Sequence, residues 1–375
     1  MDSERKKVVA GTQRLILKVG SRLLAGTDTE DKQQRIGKLI AQVAKLRERF
    51  EVVLVSSGAI GAGMVVTGTE RRPRDVARLQ ALAAVGQSRL MSHYEAACQQ
   101  HGFHCAQLLL SRDDVKERKR HLNVRNCLRA LLSDKILPIV NENDTVSVDE
   151  IRFGDNDLLA ALVATMMRAE LTVLLTTIDG FRRRENGELT ERLSVIGEIT
   201  ETLRQMAAGT DDQQFSTGGM ISKLKAAEIT LAAGENLWIA DGSDFGVIER
   251  IAAGEDIGTL FQSSRRRMSG TKRWLAFFTE AVGKIIIDDG ATTAICSRGK
   301  SLLPSGMVEI IGDFHKGDTV AVHSGDGQQL ALGMTNYDSW ELERIKGLRS
   351  SQIAEILQQD AYDEAIHRDN MVLSE

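Results

Sequence analysis

The feature that most constrains this chain is a repeated alternation, through its first two-thirds, of short continuous apolar runs with stretches of helical period. Arg14–Val19, Val52–Val55, Ala106–Leu110, Ile136–Val140 and Leu171–Leu175 read as buried strands. Between them, Lys32–Arg49 carries Ile36, Leu39, Ile40, Val43 and Leu46 at helical spacing, Val76–Gln100 reads as a long helix, and Asn123–Leu132 and Asp157–Arg168 as shorter ones. Strands with no polar face must be covered on both sides. The pattern therefore implies an α/β fold, an open, mainly parallel sheet sandwiched by helices. Right-handed crossovers put the strand C-termini on one edge, and open sheets of this kind bind ligands there.

After Leu260 the pattern changes. Ser263–Arg273 is polar, basic and aperiodic, as a linker would be. Beyond it, Lys284–Asp288, Met307–Ile311 and Thr319–His323 read as short strands split by Gly/Asp turns such as Gly325-Asp326-Gly327, a small, mostly β module. The division expected is residues 1–262, a linker at 263–273, a module at 274–360 and a tail at 361–375. Charge follows it: from Trp274 on there are 8 Lys+Arg against 16 Asp+Glu, a net of −8, while the preceding 273 residues hold 40 against 36, a net of +4. An acidic module is a poor general binder of nucleic acid, which needs a basic surface to neutralise phosphates.

Other classes are excluded by simple observations. The polar start MDSERKKVVAGTQ contains no signal-peptide apolar core, and no apolar run approaches the ~18 residues of a membrane span. Cys98, Cys105, Cys127 and Cys296 are scattered, with no C-x-x-C pair, so neither a disulfide framework nor a zinc site is indicated. A reduced, cytoplasmic compartment fits these features. Gly299-Lys300-Ser301 resembles the end of a phosphate-binding loop, but the required earlier glycine is Ala294.

The chemistry concentrates where the expected strands end. Lys18-Val19-Gly20-Ser21, Ser57-Gly58 with Gly61 and Gly63, Asn141-Glu142-Asn143-Asp144 and Thr176-Thr177 each follow a strand. One such cluster is explained as a helix cap; several on one edge are not. Lys18 either snorkels to water or, beside Gly20 and Ser21, holds phosphate oxygens. Asn156 and Asp157 open an apolar helix, either as a favourable acidic first turn or as a polar patch that binds an ammonium group, orients a lysine or faces a metal. Thr217-Gly218-Gly219-Met220-Ile221-Ser222-Lys223 is a second phosphate-type loop, with a flexible surface loop as the alternative.

With these residues in place, the chain resembles the amino acid kinase family. The segments LKVGSRLL, VVLVSSGAIGAGM, LAAVGQSRLM, PIVNENDTVS, FGDNDLLAALVA, STGGMISKLKAA and DIGTLF carry the resemblance over about the first 262 residues, and SLLPSGMVEIIGDFHKGDTVAV resembles the PUA domain of bacterial members. The resemblance implies the amino acid kinase fold plus a PUA domain, and ATP- and Mg2+-dependent phosphorylation of the γ-carboxylate of L-glutamate. It implies that Lys18, Gly20, Ser21, Thr176, Thr177 and the loop from Thr217 to Lys223 contact ATP, that Ser57, Asn141, Asp144 and Asn156 bind glutamate, and that Asp157 orders Lys18 and Lys223 for catalysis. Metal ligands are not assigned. Thr177 stands where many relatives have Asp, one negative charge fewer. Inhibition by proline, a glutamyl phosphate reductase acting downstream and a homo-oligomer follow from the resemblance alone. The rivals are another acceptor within the same family and an RNA-binding protein working through the PUA domain.

Overall fold

A computed structural model of the chain describes residues 2–25, 31–146, 156–185, 188–208, 219–265, 268–357 and 362–374. The chain divides into two compact units, Met1–Arg267 and Met268–Glu375.

In the first unit, strands β1 (Arg14–Val19), β2 (Glu51–Ser56), β3 (Cys105–Leu110), β4 (Leu137–Glu142) and β5 (Leu171–Thr176) match the apolar runs. A small hairpin, β6 (Arg182–Glu185) and β7 (Glu188–Arg192), stands apart from the main sheet. That sheet is completed by β8 (Val195–Ile196), β9 (Asn236–Asp241) and β10 (Thr259–Phe261). The eight-stranded order is β3-β4-β2-β1-β5-β9-β10-β8. Every pairing is parallel except β9 with β10.

The helices up to β5 are α1 (Asp2–Ala10), α2 (Ser21–Leu24), α3 (Lys32–Leu46), α4 (Ala59–Thr67), α5 (Val76–Gln100), α6 (Arg112–Lys116), α7 (Arg118–Ser133) and α8 (Asn156–Met167). After β8 come α9 (Glu201–Ala208), α10 (Met220–Ala232) and α11 (Val247–Ala252). Successive strand residues face opposite sides of a sheet. Leu15, Leu17 and Val19 join a core that includes Val8, Val9, Ile36, Ile40, Tyr94 and Ile251, from α1, α3, α5 and α11. Ile16 and Lys18 therefore face the other side, against which α8 packs. That alternation, fixed by a six-residue strand, decides where the Lys18 ammonium goes.

The polar N-terminal stretch forms α1, anchored by a fully buried Arg5. The Arg5 guanidinium donates to Ile257 O at 2.9 Å and Ser194 O at 2.6 Å, pairs with Asp256 at 3.0 Å, and lies 4.5 Å over the Trp238 ring. A buried charge is tolerated only when paired and hydrogen-bonded to this extent.

The second unit contains α12 (Gly270–Phe278), β11 (Gly283–Ile287), α13 (Asp289–Cys296), β12 (Met307–Ile311), β13 (Thr319–Ser324), β14 (Gln329–Met334), α14 (Ser339–Ile345), α15 (Ser350–Leu357) and β15 (Met371–Leu373). Its sheet runs β12-β11-β13-β14-β15, antiparallel except between β11 and β13, over a separate core with Ile285, Ile287, Phe314, Val320 and Leu342. Two details depart from the expected division. Helix α12 opens at Gly270, inside the stretch read as linker. The stretch set apart as a tail contributes β15 to the sheet, with Ala365 and Ile366 fully buried beside it. The apolar period of that stretch is too short to register in sequence. Among the described residues, no helix is long and apolar enough to cross a membrane.

Candidate active site

Three elements bring three charged side chains to one point at the C-terminal edge of the first sheet. Strand β1 supplies Lys18, whose Nζ lies 2.5 Å from Asp157 Oδ1. Helix α10 supplies Lys223, whose Nζ donates to Asp157 Oδ2 at 2.9 Å. Asp157 sits in the first turn of α8, where a carboxylate is favoured by the helix dipole. All three are buried, with side-chain exposures of 7%, 6% and 1% for Lys18, Lys223 and Asp157. Removing Asp157 would take from both buried ammonium groups the carboxylate they share.

A second net of uncharged groups adjoins this one through consecutive residues of α8. Asn156 Nδ2 donates to Ser56 O at 2.8 Å, Ser57 Oγ at 2.7 Å and Asn141 Oδ1 at 2.8 Å. Asn141 lies within β4 rather than beyond it, and its Nδ2 donates to Gln87 Oε1 at 3.1 Å. Ser56 Oγ shares a hydrogen bond of 2.8 Å with the buried Tyr94 hydroxyl, whose pKa is pushed up by burial. The ends of β2 and β4, and the starts of α4 and α8, are thus tied together.

Glycines set the approach of the chain segments. Gly58 has φ of +102°, a left-handed conformation at the start of α4 that only glycine adopts freely. A Cβ on it would come within 3.8 Å of Ser21 Cβ, so the segments after β1 and β2 are neighbours. A Cβ on Gly20 would stand 4.0 Å from Lys18 Nζ and 3.6 Å from Leu175 O. The Gly20 backbone therefore lies close to the ammonium group. Gly86, in α5, lies against α4: an added Cβ would be 1.8 Å from Ala59 O.

The remaining expected residues fall on the same edge in different degrees. Thr176 ends β5, half-buried, and its carbonyl accepts from Gly242 N at 2.8 Å; Thr177 follows in an exposed bend. Asp144 is half-buried in a turn after β4. Gly219 caps α10, and Met220, Ile221 and Ser222 form its half-buried first turn, ahead of Lys223. Ser21 is exposed at the start of α2. Thr217 and Gly218 lie outside the described residues. Sequence reasoning missed Gln87, and also β9, whose Asp241 accepts from Ser243 N at 2.9 Å and Ser243 Oγ at 2.6 Å on the same edge. The run WIADGS carried the same signal as the strands that were recognised.

Residues 13–241 match the Amino acid kinase family and residues 283–357 match the PUA domain. The chain belongs to the amino acid kinase family. It is 42% identical over 365 residues to the Glutamate 5-kinase of Caldanaerobacter subterraneus subsp. tengcongensis, spanning 96% of this chain and 98% of that one. Against the Glutamate 5-kinase of Geobacter sulfurreducens it is 42% identical over 373 residues, 98% of this chain and 100% of the relative. Among solved structures, a carbamate kinase from Giardia lamblia bound to AMP-PNP covers 68% of this chain and all of its own at 18% identity, with a TM-score of 0.47.

Proposed function

We propose that this chain transfers the γ-phosphate of ATP to the γ-carboxylate of L-glutamate, giving L-glutamyl 5-phosphate, the first step of proline biosynthesis. The observation that carries the proposal is the adjacency of two nets on one sheet edge: the cationic Lys18–Asp157–Lys223 group and the amide–hydroxyl group of Asn156, Asn141 and Ser57. Near-complete matches to relatives bearing the name Glutamate 5-kinase support the choice of glutamate.

The chemistry suits this inventory. A glutamate γ-carboxylate, with a pKa near ~4.3, is already ionised at neutral pH and needs no general base. The obstacle is the meeting of two anions. Catalysis must come from alignment and from fixed positive charge around the phosphoryl group in flight. Lys18 and Lys223 would supply that charge, and Asp157 would hold both ammonium groups at a set separation. Gly20, Ser21, Thr176, Thr177 and Thr217–Lys223 would contact ATP. Ser57, Asn141, Asp144 and Asn156 would hold glutamate.

The donor set fits a polyphosphate: two buried ammonium groups, one of them close to glycine backbone. Mg2+ would arrive on the ATP phosphates, which supply its preferred oxygen ligands, and when bound would neutralise phosphate charge. Inhibition by proline, a glutamyl phosphate reductase downstream, a homo-oligomer and a cytoplasmic setting belong to the same reading.

The test is ATP consumption against a panel of glutamate, aspartate, acetylglutamate and UMP, with acyl phosphate trapped as hydroxamate. Glutamate-dependent hydroxamate is expected. Turnover with a different acceptor and none with glutamate would refute the assignment.

A further inference from the structure

Gln87 lies on α5 and is 8% exposed, and its neighbours show what it holds. The side-chain amide of Asn141 is oriented by a backbone group that can only donate: Glu142 N lies 2.9 Å from Asn141 Oδ1. The Nδ2 of Asn141 must then point the other way, at Gln87, which meets it with Oε1. Asn156 is oriented by a backbone group that can only accept, Ser56 O at 2.8 Å, so its Nδ2 faces inward and shares two hydrogens among three acceptors. Its Oδ1 takes no hydrogen bond among the described residues. Ser57 Oγ accepts from Asn156 Nδ2 and keeps its own hydrogen for another acceptor.

We propose that Gln87 is a positioning residue for substrate recognition. Its Oε1 accepts from the Asn141 NH2 that the Glu142 N–H turns toward it and so holds Asn141 in place as an anchor for Asn156. The half-buried Asn156 thereby presents a carbonyl oxygen to the α-ammonium of the acceptor. Ser57 then presents an O–H to the α-carboxylate. The proposal rests on the glutamate reading above. Loss of Oε1 leaves the Asn141 NH2 buried without an acceptor. A flip of Asn141 gives no relief, because it abandons the Glu142 N–H and turns one NH2 against another. The Asn141 side chain must instead shift to find an acceptor, and Asn156 thereby loses its third anchor. The Gly86 backbone, pressed against Ala59 O, keeps α5 close enough for Gln87 to reach β4.

The experiment compares wild type, Gln87→Met and Gln87→Glu in the full-length protein, with glutamate and with glutarate, the same diacid lacking the ammonium. Met keeps the length and removes the acceptor; Glu keeps an acceptor oxygen. Gln87→Met is expected to raise KM for glutamate roughly tenfold, the effect of one lost buried hydrogen bond, with KM for ATP within about twofold. The preference for glutamate over glutarate in kcat/KM should fall by a similar factor. A purely structural role would lower activity on both acids alike and leave that preference intact. Gln87→Glu should stay within about threefold of wild type, and it decides alone if Gln87→Met does not fold. Unchanged KM and preference in Gln87→Met, or a Gln87→Glu protein as impaired as Gln87→Met, overturns the proposal while glutamate activity stands. A wild-type chain inactive on glutamate overturns the glutamate reading itself.

Discussion

In the second unit, buried Glu341 accepts from Asp338 N at 2.9 Å and closes a helix capping box. Buried Thr335 donates to Tyr337 O at 2.8 Å, two residues away. In the first unit, Lys223 reaches Asp157 across 66 residues of chain, and Asp157 also meets Lys18 from a third element. Local partners of the first kind are part of making turns and helix ends. Convergence of the second kind is not needed to form a parallel sheet and carries a desolvation penalty, so it points to chemistry. Arg5 limits the rule. It is buried and its partners are distant, but most of them are backbone carbonyls, and it fastens α1 to the loop near Asp256.

The largest effects should come from breaking the charged convergence. Lys18→Ala and Lys223→Ala are each expected to lower kcat roughly 10²-fold or more, comparable to losing one preorganised donor. Asp157→Asn leaves two buried ammonium groups without that carboxylate. It should match them in kcat and also destabilise the fold by about 3 kcal/mol in urea unfolding. Near-normal kcat in any of the three would remove the distinction drawn between the units.

Smaller and more selective changes are expected from the proposed glutamate contacts, Asn156 of the uncharged net and Asp144 beyond it. Asn156→Ala and Asp144→Ala should raise KM for glutamate roughly tenfold or more while KM for ATP moves by less than about threefold. An effect confined to ATP would reverse the assignment of the two nets.

Smaller still is the effect of a local cluster within the first unit. The His104 imidazole, 2.6 Å from Glu95, helped by donors from Cys105 and Gln99, holds the Glu95 carboxyl down at about 2 from its ordinary 4.5. A carboxylate with a lowered folded-state pKa stabilises above its unfolded value and loses that contribution as pH falls through the folded value. Wild type should therefore exceed Glu95→Gln in Tm near pH 6, with the gap closing between about pH 5 and pH 2, and kcat unchanged. A pH-independent gap would show that packing, not charge, is responsible.

Much of this was legible in the residues. The strand at Arg14–Val19, the helix at Val76–Gln100 and the strand at Met307–Ile311 have the expected bounds, because β-branched and aliphatic residues bounded by polar turns and an Asp75 cap define them locally. Lys18, Asp157 and Lys223 were recognisable as candidates because charge at strand ends and helix starts stands out against apolar neighbours. Gln87 was not: a polar residue on a long amphipathic helix looks like its solvent face, and only the crossing of α4 and α5 at Gly86 turns it inward. Arg5 was hidden for the same reason, as one charge in a polar run. Strand β15 was too short to register alone, since its stability comes from pairing with β14.

The central claim is that the reaction belongs wholly to the sheet edge of the first unit. Its most direct test is the glutamate- and ATP-dependent kcat of a chain ending after Arg267, compared with the full-length protein at equal folded fraction. Every proposed ATP and glutamate contact precedes that point, so kcat should agree within about twofold, inside the usual scatter for changes remote from a site. A well-folded shortened chain that has lost its activity would contradict the account and make the acidic second unit part of the catalytic machinery.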